Sequence, residues 1–237
     1  MQTISNVQSA NALSSPAGTP DKLLRSLDKL ATTKSRPARQ EVSREGQPAS
    51  TWYRIVSGAA FAFVIKADGR RQIVDLLFPG DFVGFTSSAE YDHTVETAAG
   101  GAVVACYLRK SVELAVDTDP RLAQIIRRID YERLGRLQQQ VLILSRIRVQ
   151  EKVASFILAM ADRLSDGRSN CFTLPLSRYE MADYLAISAE TVSRTLSDFR
   201  KRGMIRLAGM RTIQIVNRGA LEDGDETEQS NLSEAAA

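Results

Sequence analysis

Three side chains, Glu190, Ser193 and Arg194, stand at i, i+3 and i+4. On a helix that spacing brings them to one face. A carboxylate, a hydroxyl and a guanidinium projecting together can read base edges in a major groove. Arginine donates two hydrogen bonds to guanine O6 and N7, glutamate accepts from cytosine N4, and serine meets either edge. On an arbitrary helix the same trio is an ordinary Glu190–Arg194 surface ion pair, so the element that carries it decides its meaning. Ser177, Arg178, Ser188, Arg200, Lys201 and Arg211 lie nearby in sequence. They have the chemistry of phosphate contacts, which position a protein without reading sequence.

The local signals place the trio on the second of two short helices. Ser177 is followed three residues later by Glu180, a capping box. It predicts a helix over roughly 178–185, burying Met181, Ala182 and Leu185. A turn falls at Ala186-Ile187. Ser188 can cap a second helix over about 189–201, with Val192, Leu196 and Phe199 inward and Glu190, Ser193, Arg194 and Ser197 outward. Gly203 ends it. Ile205–Leu207 and Thr212–Val216 then read as a two-stranded wing around Ala208-Gly209, and a β-like run, Cys171–Leu176, precedes the pair. This is a winged helix-turn-helix layout spanning 146–218.

Upstream, the chain reads as other elements. Residues 1–20 lack periodicity and are expected to be disordered. Leu23, Leu24, Leu27 and Leu30 predict one short helix over 21–31. Between Trp52 and Leu108 come short β-type runs, WYRIVSG, FAFVI, QIVDLLF, DFVGF and AVVACYL. Turn signals at Ser57-Gly58, Asp68-Gly69, Pro79-Gly80 and Gly100-Gly101 divide them. Gly58, Gly69 and Gly80 recur every eleven residues, one strand plus one turn, which predicts an antiparallel roll within 21–118. From Asp119 the signal turns helical. Leu134, Leu137, Val141 and Leu144 are spaced 3, 4, 3, the seam of a coiled coil, and Ile126 and Ile129 extend it. Either the roll or a second copy must cover that seam. The expectation is a parallel homodimer joined along 119–145. A further helix carries Val153, Phe156, Ile157, Met160 and Leu164, with Gly167 as a C-cap.

Charge is distributed unevenly. The chain of 237 residues carries net +3, yet 146–218 carries net +6 and 219–237 net −6. A basic segment followed by an acidic, disordered tail points to a polyanion partner for the former. One histidine, His93, and two cysteines, Cys106 and Cys171, exclude a multi-histidine metal site and a disulfide framework. An enzyme built on a metal barrel is disfavoured by the same count. No apolar run reaches the length of a membrane span, and the first residues lack a secretion signal. A cytoplasmic protein, not a membrane one, is expected.

A glycine-spaced roll, a long dimer helix and a C-terminal winged helix-turn-helix together resemble the cyclic-AMP receptor protein and FNR superfamily of transcription regulators. LSRYEMADYLAISAETVSRTLSDFRKRGMI is similar to the FNR branch, through E-T-V-S-R at Glu190–Arg194, as are WYRIVSG and PGDFVGF. The resemblance covers about 45–218. It implies an α+β chain with a cyclic-nucleotide-binding-like roll. It also implies that Glu190, Ser193 and Arg194 read a two-fold symmetric site with TTGA-like half-sites. The sensor of that branch holds an iron–sulfur cluster on four cysteines. Cys106 falls where its barrel cysteine lies, and one ligand cannot hold a cluster. Cys106 is therefore expected to be a buried strand residue and Cys171 a structural one. No arginine lies between Arg71 and Arg109 to neutralise a cyclic phosphate. His93, in a polar turn, reads as a surface residue rather than a haem ligand. A reader without either sensor resembles the FixK group of rhizobial regulators of microaerobic respiration and nitrogen fixation. Their redox-reactive cysteine near the reader's first helix is replaced here by Ser177, which forms no sulfenate. The expectation is a homodimeric activator that binds double-stranded DNA, meets RNA polymerase and requires no cofactor. The alternative is a regulator of the same superfamily gated by a small molecule in the roll.

Overall fold

The computed structural model describes residues 27–86, 88–165 and 170–222. The start of the expected first helix, residues 1–20, Gly167 and the acidic tail beyond Glu222 lie outside the described residues. Leu27 and Asp28 are helical, and Leu27 is fully buried. Six strands build the roll: β1 (Ala31–Arg36), β2 (Glu41–Ser43), β3 (Thr51–Ile65), β4 (Arg71–Leu77), β5 (Phe82–Val83) and β6 (Thr94–Leu108). The order is β1-β6-β3-β4, with β2 on β6 and β5 on β3, and every pairing is antiparallel.

Two expected turns are bulges instead. Gly58 and Gly101 have positive φ (79° and 69°) inside the long strands β3 and β6, which pair with each other through register shifts near Gly58. A Cβ on Gly58 would stand 2.3 Å from the Gly101 carbonyl oxygen. Only glycine allows that approach. The strands WYRIVSG and FAFVI are thus one strand, bent at Gly58. Asp68-Gly69 and Pro79-Gly80 are turns as expected: Lys66 and Arg70 close the first, and Gly80 donates to the Ile55 carbonyl at 2.9 Å.

Helix α1 (Arg109–Thr118) follows β6 directly. It ends at Asp119, whose extended backbone suits a residue preceding proline. Asp119 then caps α2 (Pro120–Ser145) by accepting from the Arg121 N–H at 3.0 Å, with Pro120 in the first turn. At 1.5 Å per residue α2 is about 39 Å long. Its inward stripe is Leu122, Ile125, Ile129, Gln140 and Ile143. Ile125 and Ile129, with Ile126 packed beside them, join Trp52, Phe82, Tyr107 and Val112 in one apolar cluster against the roll. Ile129 is buried in that cluster and Ile126 half-buried beside it, and both sit one residue out of phase with Leu134, Leu137, Val141 and Leu144, which argues against their extending the outer seam.

After α2 come α3 (Val149–Leu164), β7 (Cys171–Thr173), α4 (Arg178–Leu185), α5 (Ala189–Lys201), β8 (Ile205–Ala208), β9 (Thr212–Ile215) and α6 (Arg218–Glu222). The small sheet runs β7-β9-β8. The C-terminal half shares one apolar core with the outer face of the roll: Phe61, Ile73, Leu76 and Phe78 of the β3–β4 region join Phe156, Tyr184, Leu185, Leu196 and Phe199. A buried charge cluster fastens the same junction. Arg136 of α2 lies 3.5 Å from Asp75 and 3.3 Å from Asp81, and Arg163 of α3 lies 2.6 Å from Asp81 while stacking over Phe78.

Candidate nucleic-acid interface

The two-helix unit forms for local reasons. The Ser177 side chain accepts from the Glu180 N–H at 3.3 Å, and the Glu180 carboxylate accepts from the Ser177 N–H at 2.5 Å. Both halves of the capping box are made. Ala186 takes a left-handed conformation (φ 54°) that turns the chain between helices. Ser188 caps α5 by accepting from the Thr191 N–H at 3.0 Å. Helix α5 buries Val192, Thr195, Leu196 and Phe199, and Gly203 ends it at φ 71°. Both helices begin and end where the capping and turn residues predict.

The opposite face of α5 is open. Glu190 and Arg194 side chains are each 73% exposed, and they pair at 2.5 Å. The Ser193 hydroxyl donates to the Ala189 carbonyl at 2.9 Å. The trio shares a shallow concavity with Ser197, Asp198 and Lys201. Ser197 lies on that face as its spacing predicts, and Asp198 is the residue that the sequence pattern did not single out; its i+8 spacing from Glu190 was the available signal. An exposed ion pair contributes only about 0–1 kcal/mol, and a bidentate arginine–guanine contact about 1–3 kcal/mol. The internal pair is thus weak enough for a base to displace.

The candidate phosphate contacts divide by environment. Arg200, Lys201 and Arg211 are exposed. Ser177 and Ser188 hold the helix starts, one half-buried and one exposed. Arg178 is half-buried beside the Met181 sulfur at 3.3 Å, and burial holds its guanidinium below its ordinary pKa. Along α2, Leu134 (51%) and Val141 (65%) are exposed, whereas Leu137 and Leu144 are half-buried. Tyr131 and Leu142 of α2 are exposed as well.

The sensory half has its own geometry. Between the roll and α2 lies a cavity of about 20 Å³, lined by Ser43, Gly84, Phe85, His93 and Arg133 among others. That is room for about one water. Arg133 donates to the Phe85 carbonyl at 2.9 Å. His93 is half-buried rather than at the surface; burial, reinforced by Arg133, holds its imidazole below its ordinary pKa. Cys106 is half-buried on β6 and Cys171 exposed on β7; burial raises the Cys106 thiol. Two cysteines on separate sheets do not fit an iron–sulfur cluster. Among the described residues no group of three or more His, Cys, Asp and Glu side chains is placed to hold a metal ion. Among them, too, no helix is long and apolar enough to cross a membrane.

A helix-turn-helix with a wing, set behind a β-roll and a long helix, defines a DNA-binding transcription regulator. Residues 33–114 match the cyclic nucleotide-binding domain and 151–223 the Crp-like helix-turn-helix domain. The chain is similar to the transcriptional activator protein FnrL of Cereibacter sphaeroides, 33% identical over 213 residues and 86% of each chain. It is similar also to the nitrogen fixation regulation protein FixK of Azorhizobium caulinodans, 34% identical over 76% of this chain and 74% of that one. The solved structure of FixK2 from Bradyrhizobium japonicum superposes with a TM-score of 0.77 at 32% identity, covering 83% of this chain and 98% of that one. The chain belongs to the CRP/FNR family of transcription regulators and is not an enzyme.

Proposed function

We propose that the protein acts as a homodimer on a palindromic DNA site, with one α5 in each of two successive major grooves. Glu190, Ser193 and Arg194 read TTGA-like half-sites, and Ser177, Arg178, Ser188, Arg200, Lys201 and Arg211 contact phosphates. Leu134, Leu137, Val141 and Leu144 pair with their counterparts in a second copy. The observation that carries this reading is the pairing of two surfaces on one chain: an open polar face on a capped helix, and an apolar seam on α2 that the chain's own core leaves partly exposed, at Leu134 and Val141 most of all. Burying that seam against itself removes apolar surface from water at about 25 cal/mol per Å².

The relatives' names, transcriptional activator and nitrogen fixation regulation protein, support an activator that meets RNA polymerase in the cytoplasm and controls microaerobic respiration or nitrogen-fixation genes. The test is selection of bound duplexes from a random pool by untreated, aerobically purified protein, with its mass in solution measured in parallel. The expected result is a dimer that enriches an inverted repeat with half-sites about one DNA turn apart. A monomer, or a pool without an inverted repeat, overturns the reading.

A further inference from the structure

Helix α4 is completed at both ends by the roll. At its start, Glu180 is fully buried, and Arg39 lies 2.7 Å from its free carboxylate oxygen, an ionic contact without hydrogen-bond alignment. Arg39 is aimed there by a strained turn. Its φ is +60°, one of two positive values among the described non-glycine residues. The buried Thr97 holds that turn, accepting from the Gln40 N–H at 3.0 Å and donating to the Pro37 carbonyl at 2.6 Å. Such backbone persists only where its surroundings enforce it. At the other end of α4, the Gln72 side-chain amide donates to the Asp183 carbonyl at 2.6 Å and reaches the Tyr184 carbonyl at 3.3 Å. Those carbonyls belong to the last turn and have no partner within the helix.

Between the two ends, Arg71 of β4 donates to the Asp183 carboxylate at 2.8 Å. Its guanidinium lies over the rings of Phe61 and Phe63, at 5.1 and 5.4 Å, and 3.9 Å from Glu96. Glu96 is also 3.5 Å from Arg39. Two arginines of the roll thus bridge one roll carboxylate to two carboxylates, three residues apart, on α4. The stack on two aromatic faces fixes the plane of Arg71, and a fixed planar fork aims its partner. In this closed arrangement the α5 face stays open.

We infer that Arg71, with Arg39 and Gln72, is a latch that sets the orientation of the reading helix on the roll, and so the half-site spacing that a pair of readers accepts. These are positioning residues; none of them lies on the reading face. This inference rests on the dimeric reading proposed above. Spacing is its specific readout, because inserting one base pair moves a half-site by about 3.4 Å and about a tenth of a turn. A rigid pair of readers rejects that shift, whereas a loosened pair tolerates it.

The experiment uses the full chain and variants Arg71→Ala, Asp183→Asn, Gln72→Ala and the double variant Arg71→Ala/Asp183→Asn. Affinity is measured on the selected inverted repeat, on the same repeat with one or two base pairs inserted or deleted at its centre, and on a single half-site. Thermal melts accompany each variant. Expected are native melts within a few degrees, unchanged half-site binding, and a spacing preference reduced about three- to tenfold, with the double variant no worse than Arg71→Ala alone. An unchanged spacing preference in Arg71→Ala and Asp183→Asn overturns the latch. So does an equal loss on all three kinds of DNA, which marks a merely destabilised fold. If Arg71→Ala fails to fold, Gln72→Ala and Asp183→Asn decide by the same two criteria. A wild-type protein indifferent to spacing overturns the dimeric reading, and the latch with it.

Discussion

Helices α4 and α5 are consecutive, packed on each other and capped by the same chemistry, yet they direct their polar groups oppositely. Glu180 and Asp183 of α4 face the roll, where Arg39 and Arg71 meet them. Glu190 and Arg194 of α5 face solvent and meet only each other. A charged group committed to distant parts of its own chain positions the element that bears it. A charged group held only by a neighbour one turn away can exchange that partner for a ligand. The contrast supports the proposed division of labour, α4 for placement and α5 for reading.

The largest effect should come from the side of α5 that reads nothing. Phe199 is 2% exposed in the shared core, so Phe199→Ala should lower the unfolding free energy by about 3–5 kcal/mol, measured by chemical denaturation. Arg194→Ala should leave stability within about 0.5 kcal/mol while weakening binding at one base position by about 1–3 kcal/mol. Competition between specific and random duplexes checks this. Equal loss on both would make Arg194 a phosphate contact and blur the division between the helices. Affinity for either duplex should fall steeply with salt, since neutralised phosphates release counterions.

What the sequence made legible follows from how far each signal reaches. The limits of α4 and α5 were readable because a capping box and a serine cap act over three residues, as Ser177–Glu180 and Ser188–Thr191 do. Gly58 and Gly101 were readable as glycines needing positive φ, but a bulge and a turn make the same local demand; only the pairing of β3 with β6 tells them apart. Strand β1, ATTKSR, shows almost no buried face, so it has no alternation to find. Helix α1 buries one side chain fully, Val112, and gives no stripe. The proposed seam of α2 is legible where the 3, 4, 3 spacing is strict. Ile126 and Ile129 fall off that pattern, because stepping back seven residues from Leu134 and Leu137 lands on Arg127 and Asp130. The latch was invisible. Arg71 and Asp183 are 112 residues apart, and no pattern within either segment names the other.

The two first-turn carboxylates, Glu180 buried and Glu190 exposed, sharpen the comparison at smaller scale. Glu180→Gln should cost about 1–2 kcal/mol through the weakened cap and the unpaired Arg39. Glu190→Gln, in the matching first turn of α5, should cost less than about 0.5 kcal/mol. Paired thermal melts decide. If the two costs are equal, α4 is held no more firmly by the roll than α5 is by solvent.

The last prediction concerns the junction beneath α4, and its signature is a slope rather than a step. Burial pushes the Asp75 carboxyl above its ordinary value of 3.8, against the pull of Arg136 and Arg163, with Asp81 adding to the push. A raised folded-state value means that the folded chain binds the proton more tightly than the unfolded one. The stability this contributes is fully present below 3.8 and is lost as pH rises through the raised value. Asp75→Asn cannot titrate. The wild-type protein should therefore gain stability relative to Asp75→Asn as pH falls from neutrality, measured by denaturant unfolding across that window. A difference that instead grows with rising pH would mean that the two arginines outweigh burial. Asp75 would then anchor Arg136 as Glu180 anchors Arg39, and the roll would hold α2 and α3 as it holds α4.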